Sequence, residues 1–251
     1  MLTGRRFGRE LADLGDAWSR LAAEDPLWAV CVSRAARHGG WDVEAFYATG
    51  VAEVEAALAR ATGLGLVAGG QSALDFGCAV GRLTRPLTAH FKHVTGVDIA
   101  PGMLDLARQD NPAGDRCRFV LNDRADLALF GDAQFDLVYS SIVLQHVPPP
   151  LARVYLAEFA RVLRPGGSLI VQLPTRPRGT PRGLVYRCLR TRLLGVIQQR
   201  MLGYPAPMQM HGIGERDMRG LLAGMGLEVR AADVTAYSPD WHERRYFCRK
   251  A

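Results

Sequence analysis

The chain has 251 residues, 48% hydrophobic and 22% charged, enough for one large core or a domain with a sizeable appendage. No run of about 18 apolar residues is present, and the opening MLTGRRFGRELADLGDAW carries acids and lacks the apolar stretch of a signal peptide, so a soluble, cytoplasmic protein without a membrane span is expected. Five cysteines, odd in number and without a CxxC pair, argue against a disulfide framework or a thiolate zinc site, and the net charge of +6 has its source in residues 159–214, which hold nine arginines and no acid.

The first seventy residues read as helical: RELADLGDAWSRLAAEDP, then a segment from Pro26 and Leu27, then WDVEAFYATGVAEVEAALARAT with apolar positions three and four apart. Glycines at 63, 65, 69 and 70 close this region. Five short apolar runs follow, ALDFG (73–77), HVTGVDI (93–99), CRFVLND (117–123), FDLVYSS (135–141) and SLIVQL (168–173). Between them LTRPLTAHF, PGMLDLARQ and LARVYLAEFARVL have helical periodicity. Strands alternating with helices predict an α/β fold with a doubly wound parallel sheet, because a parallel pair needs a crossover connection. The alternation breaks from 175 to 210 around LVYRCLRTRLLGVIQQRML, which reads as a helical insertion. GERDMRGLLAGMG then predicts a helix, and LEVRAADVTA and WHERRYFCRK two final strands. One domain over 1–251 is expected, with an N-terminal helical cover (1–70), a core (71–174), an insertion or lid (175–210) and a C-terminal helix and strands (211–251).

ALDFGCAVGRLTRPL places Asp75, Gly77 and Gly81 directly between a strand and a helix, where glycines let the backbone approach a ligand. A dinucleotide fingerprint GxGxxG counted from Gly77 needs a small residue where Arg82 stands, which disfavours a nicotinamide site. DFGCAVGR resembles motif I of the class I S-adenosylmethionine-dependent methyltransferases. GVDIAPGML resembles that family's acidic strand end, and FDLVYSSIVLQHV followed by RVLRPGGSLIV its downstream signature. The resemblance is strong over residues 70–173 and implies a Rossmann-like seven-stranded sheet, with S-adenosyl-L-methionine as methyl donor and S-adenosyl-L-homocysteine as product. It implies that Asp98 accepts from the ribose hydroxyls, flanked by Ile99 and Met103. Gly77, Cys78, Ala79 and Gly81 would lie against methionine and ribose, and Asp75 would orient the loop or meet the ammonium group. Asp123, with Asn122 and Arg124, would read the adenine edge, and Ser140 or Ser141 would contact the aminocarboxyl group. Ala79 departs from the glycine common in the family.

Methyl transfer from a sulfonium needs alignment and, for a hydroxyl acceptor, a base. His146, just beyond the fourth strand in SIVLQHVPPP, is the first candidate base, since a histidine of ordinary pKa is mostly neutral near neutrality. His211 is the second, with Glu215 four residues later as orienting partner. His90 and His93 form HxxH at a helix end away from the expected cleft, and no metal site is read there. The arginines at 176, 178, 182, 187, 190, 192 and 200 read first as a solvated helix face; the alternatives are a phosphate or carboxylate on the acceptor, an acidic membrane or nucleic acid. The expected activity is O-methylation of a small-molecule hydroxyl, on a saccharide or secondary metabolite, the acceptor being anionic or sugar-like and the protein a monomer or homodimer. The alternatives are an RNA or other nucleic-acid methyltransferase, disfavoured because YSSI stands where adenine methylation uses an Asn/Asp-Pro-Pro-aromatic loop, and a non-catalytic S-adenosylmethionine-binding protein.

Overall fold

The computed structural model describes residues 7–32, 36–109, 111–188 and 191–251. Three helices come first: α1 (Gly8–Glu24), α2 (Pro26–Val30) and α3 (Val43–Gly63). Asp25 and Asp42 cap the second and third, accepting from Trp28 N at 3.2 Å and Ala45 N at 2.8 Å, as short acids do where helical N–H groups lack partners.

Seven strands follow, β1 (Gly70–Phe76), β2 (Phe91–Asp98), β3 (Cys117–Leu121), β4 (Phe135–Ser140), β5 (Leu163–Pro177), β6 (Leu227–Thr235) and β7 (Trp241–Lys250). They form one sheet in the order β3-β2-β1-β4-β5-β7-β6. The first five pair in parallel, and β7 lies antiparallel between β5 and β6. The seven expected strands are present. The order reverses between β1 and β4, and a doubly wound sheet offers its ligand crevice at such a point, beyond the carboxyl ends of the strands. Every residue of β4 is buried, as an interior parallel strand covered on both faces requires.

The connecting helices are α4 (Thr84–Leu87), α5 (Pro101–Gln109), α6 (Pro149–Val162), α7 (Pro181–Cys188), α8 (Thr191–Leu202) and α9 (Glu215–Gly224). The helix expected across LTRPLTAHF is only the four residues of α4, because tight bonds from Thr88, Ala89 and His90 back to the third preceding carbonyl turn the chain into β2. β5 outruns the expected SLIVQL because β7 pairs along it as far as Pro177. The three prolines are the start of α6, whose first turn has no use for the missing N–H groups.

The residues between 175 and 210 pack on the N-terminal helices. Trp28, Phe46, Ala206 and Met208 share one buried cluster with Met103, and the Trp28 and Tyr204 rings meet edge-on at 5.1 Å. Arg190 lies outside the described residues, as does the side chain of Arg192. No helix among the described residues is long and apolar enough to cross a membrane.

Candidate active site

The loop after β1 is built from backbone angles that side chains resist. Gly77 has φ +78°, Ala79 +46° and Gly81 +83°. A Cβ on Gly77 would stand 2.3 Å from Val143 Cγ2, so only glycine lets the loop pass under the β4 connection. Ala79 holds its left-handed angle with a methyl group, at a cost of about 1 kcal/mol. A backbone bond fixes it there, Ala79 N donating to Asp98 Oδ2 at 2.9 Å, while Asp98 Oδ1 takes Ala100 N at 2.9 Å. Asp98 thus ties the loop after β1 to the end of β2. Its pKa is raised, burial outweighing the bonds from Ala100, Ala79 and Ile99.

A cavity opens beside this loop. Asp75, Gly77, Cys78, Ala79, Asp98, Ile99, Met103, Asn122, Ser141 and His146 line it together with Leu14 and Trp18 of α1 and with Arg82. Burial pushes the Asp75 carboxyl up to about 7 against the hydrogen bond it accepts from Thr84 Oγ1 at 2.6 Å. Asn122 is 3% exposed and its buried Oδ1 has no partner among the described residues, so a ligand donor is the group it lacks.

Other expected residues stand elsewhere. Asp123 and Arg124 are exposed and line a separate cleft against α1, because the chain turns at Asn122, whose N–H closes on Asp98 O. Of the three, Asn122 alone lines the glycine-loop cavity. Ser140 points into the sheet and donates to Phe76 O at 3.1 Å, leaving Ser141 on the cavity wall. Gly81 serves packing, since a Cβ there would meet the Phe119 ring at 2.9 Å. Glu215 pairs with Arg219 at 3.2 Å and Arg244 at 3.1 Å and does not orient His211, whose Nε2 lies 3.3 Å from Gln209 Oε1. Neither residue lines the cavity. His90 contacts Glu55 at 2.7 Å, and no three His, Cys, Asp or Glu side chains gather as a metal site among the described residues.

His146 is 7% exposed and sits at the end of a single 3-10 turn, its ring edge-on to Trp18 at 5.0 Å. Its Nδ1 is 2.7 Å from the Gln209 carbonyl, an acceptor only, so Nδ1 carries the proton. Its Nε2 lies 3.1 Å from the Gln145 amide. Burial pushes His146 down to about 4, against the Gln209 bond and with help from nearby His211. In this arrangement both ring nitrogens are engaged, Nδ1 by the Gln209 carbonyl and Nε2 by the Gln145 amide.

A second cavity adjoins the first, with Ala29, Val30, Arg82, Ile142 and His146 common to both walls. Ile142 holds φ +63°, an outlier for a β-branched residue, and its N–H is fixed by Gln172 Oε1 at 2.8 Å. Sequence reasoning missed the charges here. Glu53 of α3 receives Arg82 Nη2 at 2.8 Å on one oxygen and Arg245 Nη2 at 2.6 Å on the other, and the Ser141 hydroxyl at 2.7 Å. Arg245 Nη2 also donates to the Tyr237 hydroxyl. Burial works to raise the Glu53 pKa, but Arg82 and Arg245 with the Tyr237 and Ser141 hydroxyls hold it below the usual range. Glu53 and Glu55 stand two residues apart on α3 and read alike as helical acids, and nothing local marks Arg245.

The methyltransferase domain model matches residues 74–171. The chain is 37% identical over 145 residues to malonyl-[acyl-carrier protein] O-methyltransferase of Serratia marcescens, covering 57% of this chain and 50% of that protein. It is 37% identical over 102 residues to demethylmenaquinone methyltransferase of Clavibacter sepedonicus, covering 41% and 40%. The matches thus span half or less of these relatives. Magnesium protoporphyrin IX methyltransferase from Synechocystis, solved with bound SAH, superposes with a TM-score of 0.63 at 21% identity, covering 95% of this chain and 98% of that one. Residues 74–171 thus match a methyltransferase domain, the glycine loop tied to the acid ending β2 lies within that segment, and the sheet order is that of the class I methyltransferase fold.

Proposed function

We propose that the chain transfers the methyl group of S-adenosylmethionine to an oxygen of a small-molecule acceptor. The observation that carries this is the shared wall. The glycine-loop cavity fits the cofactor: the cradle at Gly77 has no room for a Cβ, Asn122 Oδ1 is an unfilled buried acceptor, and Asp98 retains lone pairs for the ribose. The adjoining cavity, about 680 Å³, carries Trp41, Tyr186, Tyr204, Met208 and Met210 and suits an apolar or aromatic body. A methyl group passing between them crosses the wall formed by Val30, Ile142 and His146.

The bound cofactor supplies an activated methyl on a sulfonium, so the protein's task is alignment, which contributes up to about 7–11 kcal/mol. Asp98 and Asn122 hold the donor's ends, Ile142 and His146 shape the passage, and α1, α2 and the residues after β5 exclude water. The acceptor oxygen expected from sequence, a sugar or metabolite hydroxyl, needs a base that His146 does not supply.

Calorimetric titration with S-adenosylhomocysteine tests the reading. Micromolar binding is expected, weakened at least tenfold in Asp98→Asn. Unchanged affinity in that variant would remove the cofactor assignment.

A further inference from the structure

We propose that the acceptor is a carboxylic acid with a flat apolar body, and that its carboxylate oxygen is the atom methylated, held by Arg82 and Arg245. This rests on the methyl-transfer reading above and names its substrate class.

The first support is the state of the two guanidinium groups. Arg82 is 4% exposed and Arg245 9%, and both line the acceptor cavity, Arg82 at the wall shared with the cofactor cavity. Each has a buried Nε without an acceptor among the described residues. There, too, the side-chain hydrogen bonds of Arg245, to Glu53, Ser141 and Tyr237, all leave through Nη2. A guanidinium offers five N–H donors in a fork that fits a carboxylate, and a buried donor without a partner is costly. Glu53 is one acid between two cations. The other acid on this wall, Glu243, has its pKa raised by burial against the backbone donors of Tyr237 and Ser238. Gln145 Oε1 and Glu243 Oε1, unpaired acceptors of the same cavity, suit a hydroxyl or amide elsewhere on the acceptor.

The second support is the lack of a base where the methyl crosses. Only Arg82 and His146 are ionisable among the described residues common to both cavities, and both His146 nitrogens are engaged. Glu53 is committed to its arginines. Burial raises the Cys31 thiol and the Tyr237 phenol, so neither is an anion near neutrality. An alcohol must shed a proton during transfer, whereas a carboxylate arrives without one.

The step balances without acid or base. A lone pair of the carboxylate oxygen forms the O–CH₃ bond as the S–CH₃ bond breaks, and that bonding pair stays on sulfur. The sulfonium becomes a neutral thioether and the carboxylate a neutral ester. The ester has lost the charge that Arg82 and Arg245 select, which favours its release.

The test uses the whole chain saturated with S-adenosylhomocysteine and titrated with trans-cinnamate and trans-cinnamyl alcohol, which share a skeleton. Cinnamate should bind at least tenfold more tightly. That preference should vanish in Arg245→Gln and return in part in Arg245→Lys. Equal affinities in the wild type, or a preference for the alcohol, overturn the proposal without need of a variant. In a second arm, label transferred from S-adenosylmethionine to a mixture of aromatic and aliphatic metabolites should be released as methanol by mild alkali. Alkali-stable label keeps methyl transfer and overturns the carboxylate, whereas failure of S-adenosylhomocysteine to bind removes the underlying reading itself.

Discussion

The proton on His146 Nδ1 is locked by the Gln209 carbonyl, so the ring is neutral in the fold and gains charge only on unfolding or in acid. A histidine whose folded pKa is about 4, against 6.5 when unfolded, stabilises the protein above pH 6.5, and that stability is lost as pH falls towards 4. Urea unfolding should show about 2 kcal/mol less stability at pH 5 than at pH 7 from this residue, a difference that shrinks in His146→Gln. Asp75 has the opposite sense: its raised pKa of about 7 leaves it partly protonated at neutrality, and a cationic ligand in the cavity favours the ionised form. Binding of S-adenosylhomocysteine, which keeps the ammonium group, should therefore release a fraction of a proton, seen as a binding enthalpy that varies with the buffer. Asp75→Asn should abolish that dependence.

Elements carry these side chains to one place, and they differ in how far the sequence announces them. Asp75, Gly77, Cys78 and Ala79 are near neighbours, and Asp98 stands one strand away, so the cofactor half is readable from spacing. At the end of β3 spacing is ambiguous by one residue, because which of Asn122 and Asp123 turns inward depends on the bond from Asn122 N to Asp98 O. The adjoining cavity is not legible. Glu53, Arg82 and Arg245 come from α3, the glycine loop and β7, and an Arg–Glu contact spanning 192 positions has no local pattern. The fit of α3 against the glycine loop is close: a Cβ on Gly50 would meet the Arg82 carbonyl at 2.1 Å. Gly50→Ala should thus destabilise the fold by more than about 2 kcal/mol despite the roughly 1 kcal/mol that alanine adds to a helix, a balance measurable by denaturant midpoint.

At the scale of the whole molecule, a sheet legible from its alternation of runs carries a cover legible only as helix. Trp28 joins the two parts of that cover, buried to 3% and set against Tyr204. Trp28→Ala should cost the cover about 3–5 kcal/mol. Hydrogen exchange should then rise first across 193–208, with β1 to β5 still protected, since that segment reaches the N-terminal helices through this cluster.

The placement of β7 has a consequence for how the protein is made. β5 is synthesised some way before the strand that covers its free edge, and its Ser168–Leu173 stretch is buried only in the finished sheet. Until β7 arrives, a growing chain on the ribosome presents an apolar, unpaired strand edge, the feature that invites pairing with other chains. β6 emerges first and cannot serve, because it bonds to β7 alone. The strand that brings Arg245 to the second cavity is therefore also the one whose late insertion ends the period of exposure, and the yield of soluble protein should depend on chaperone supply during that interval.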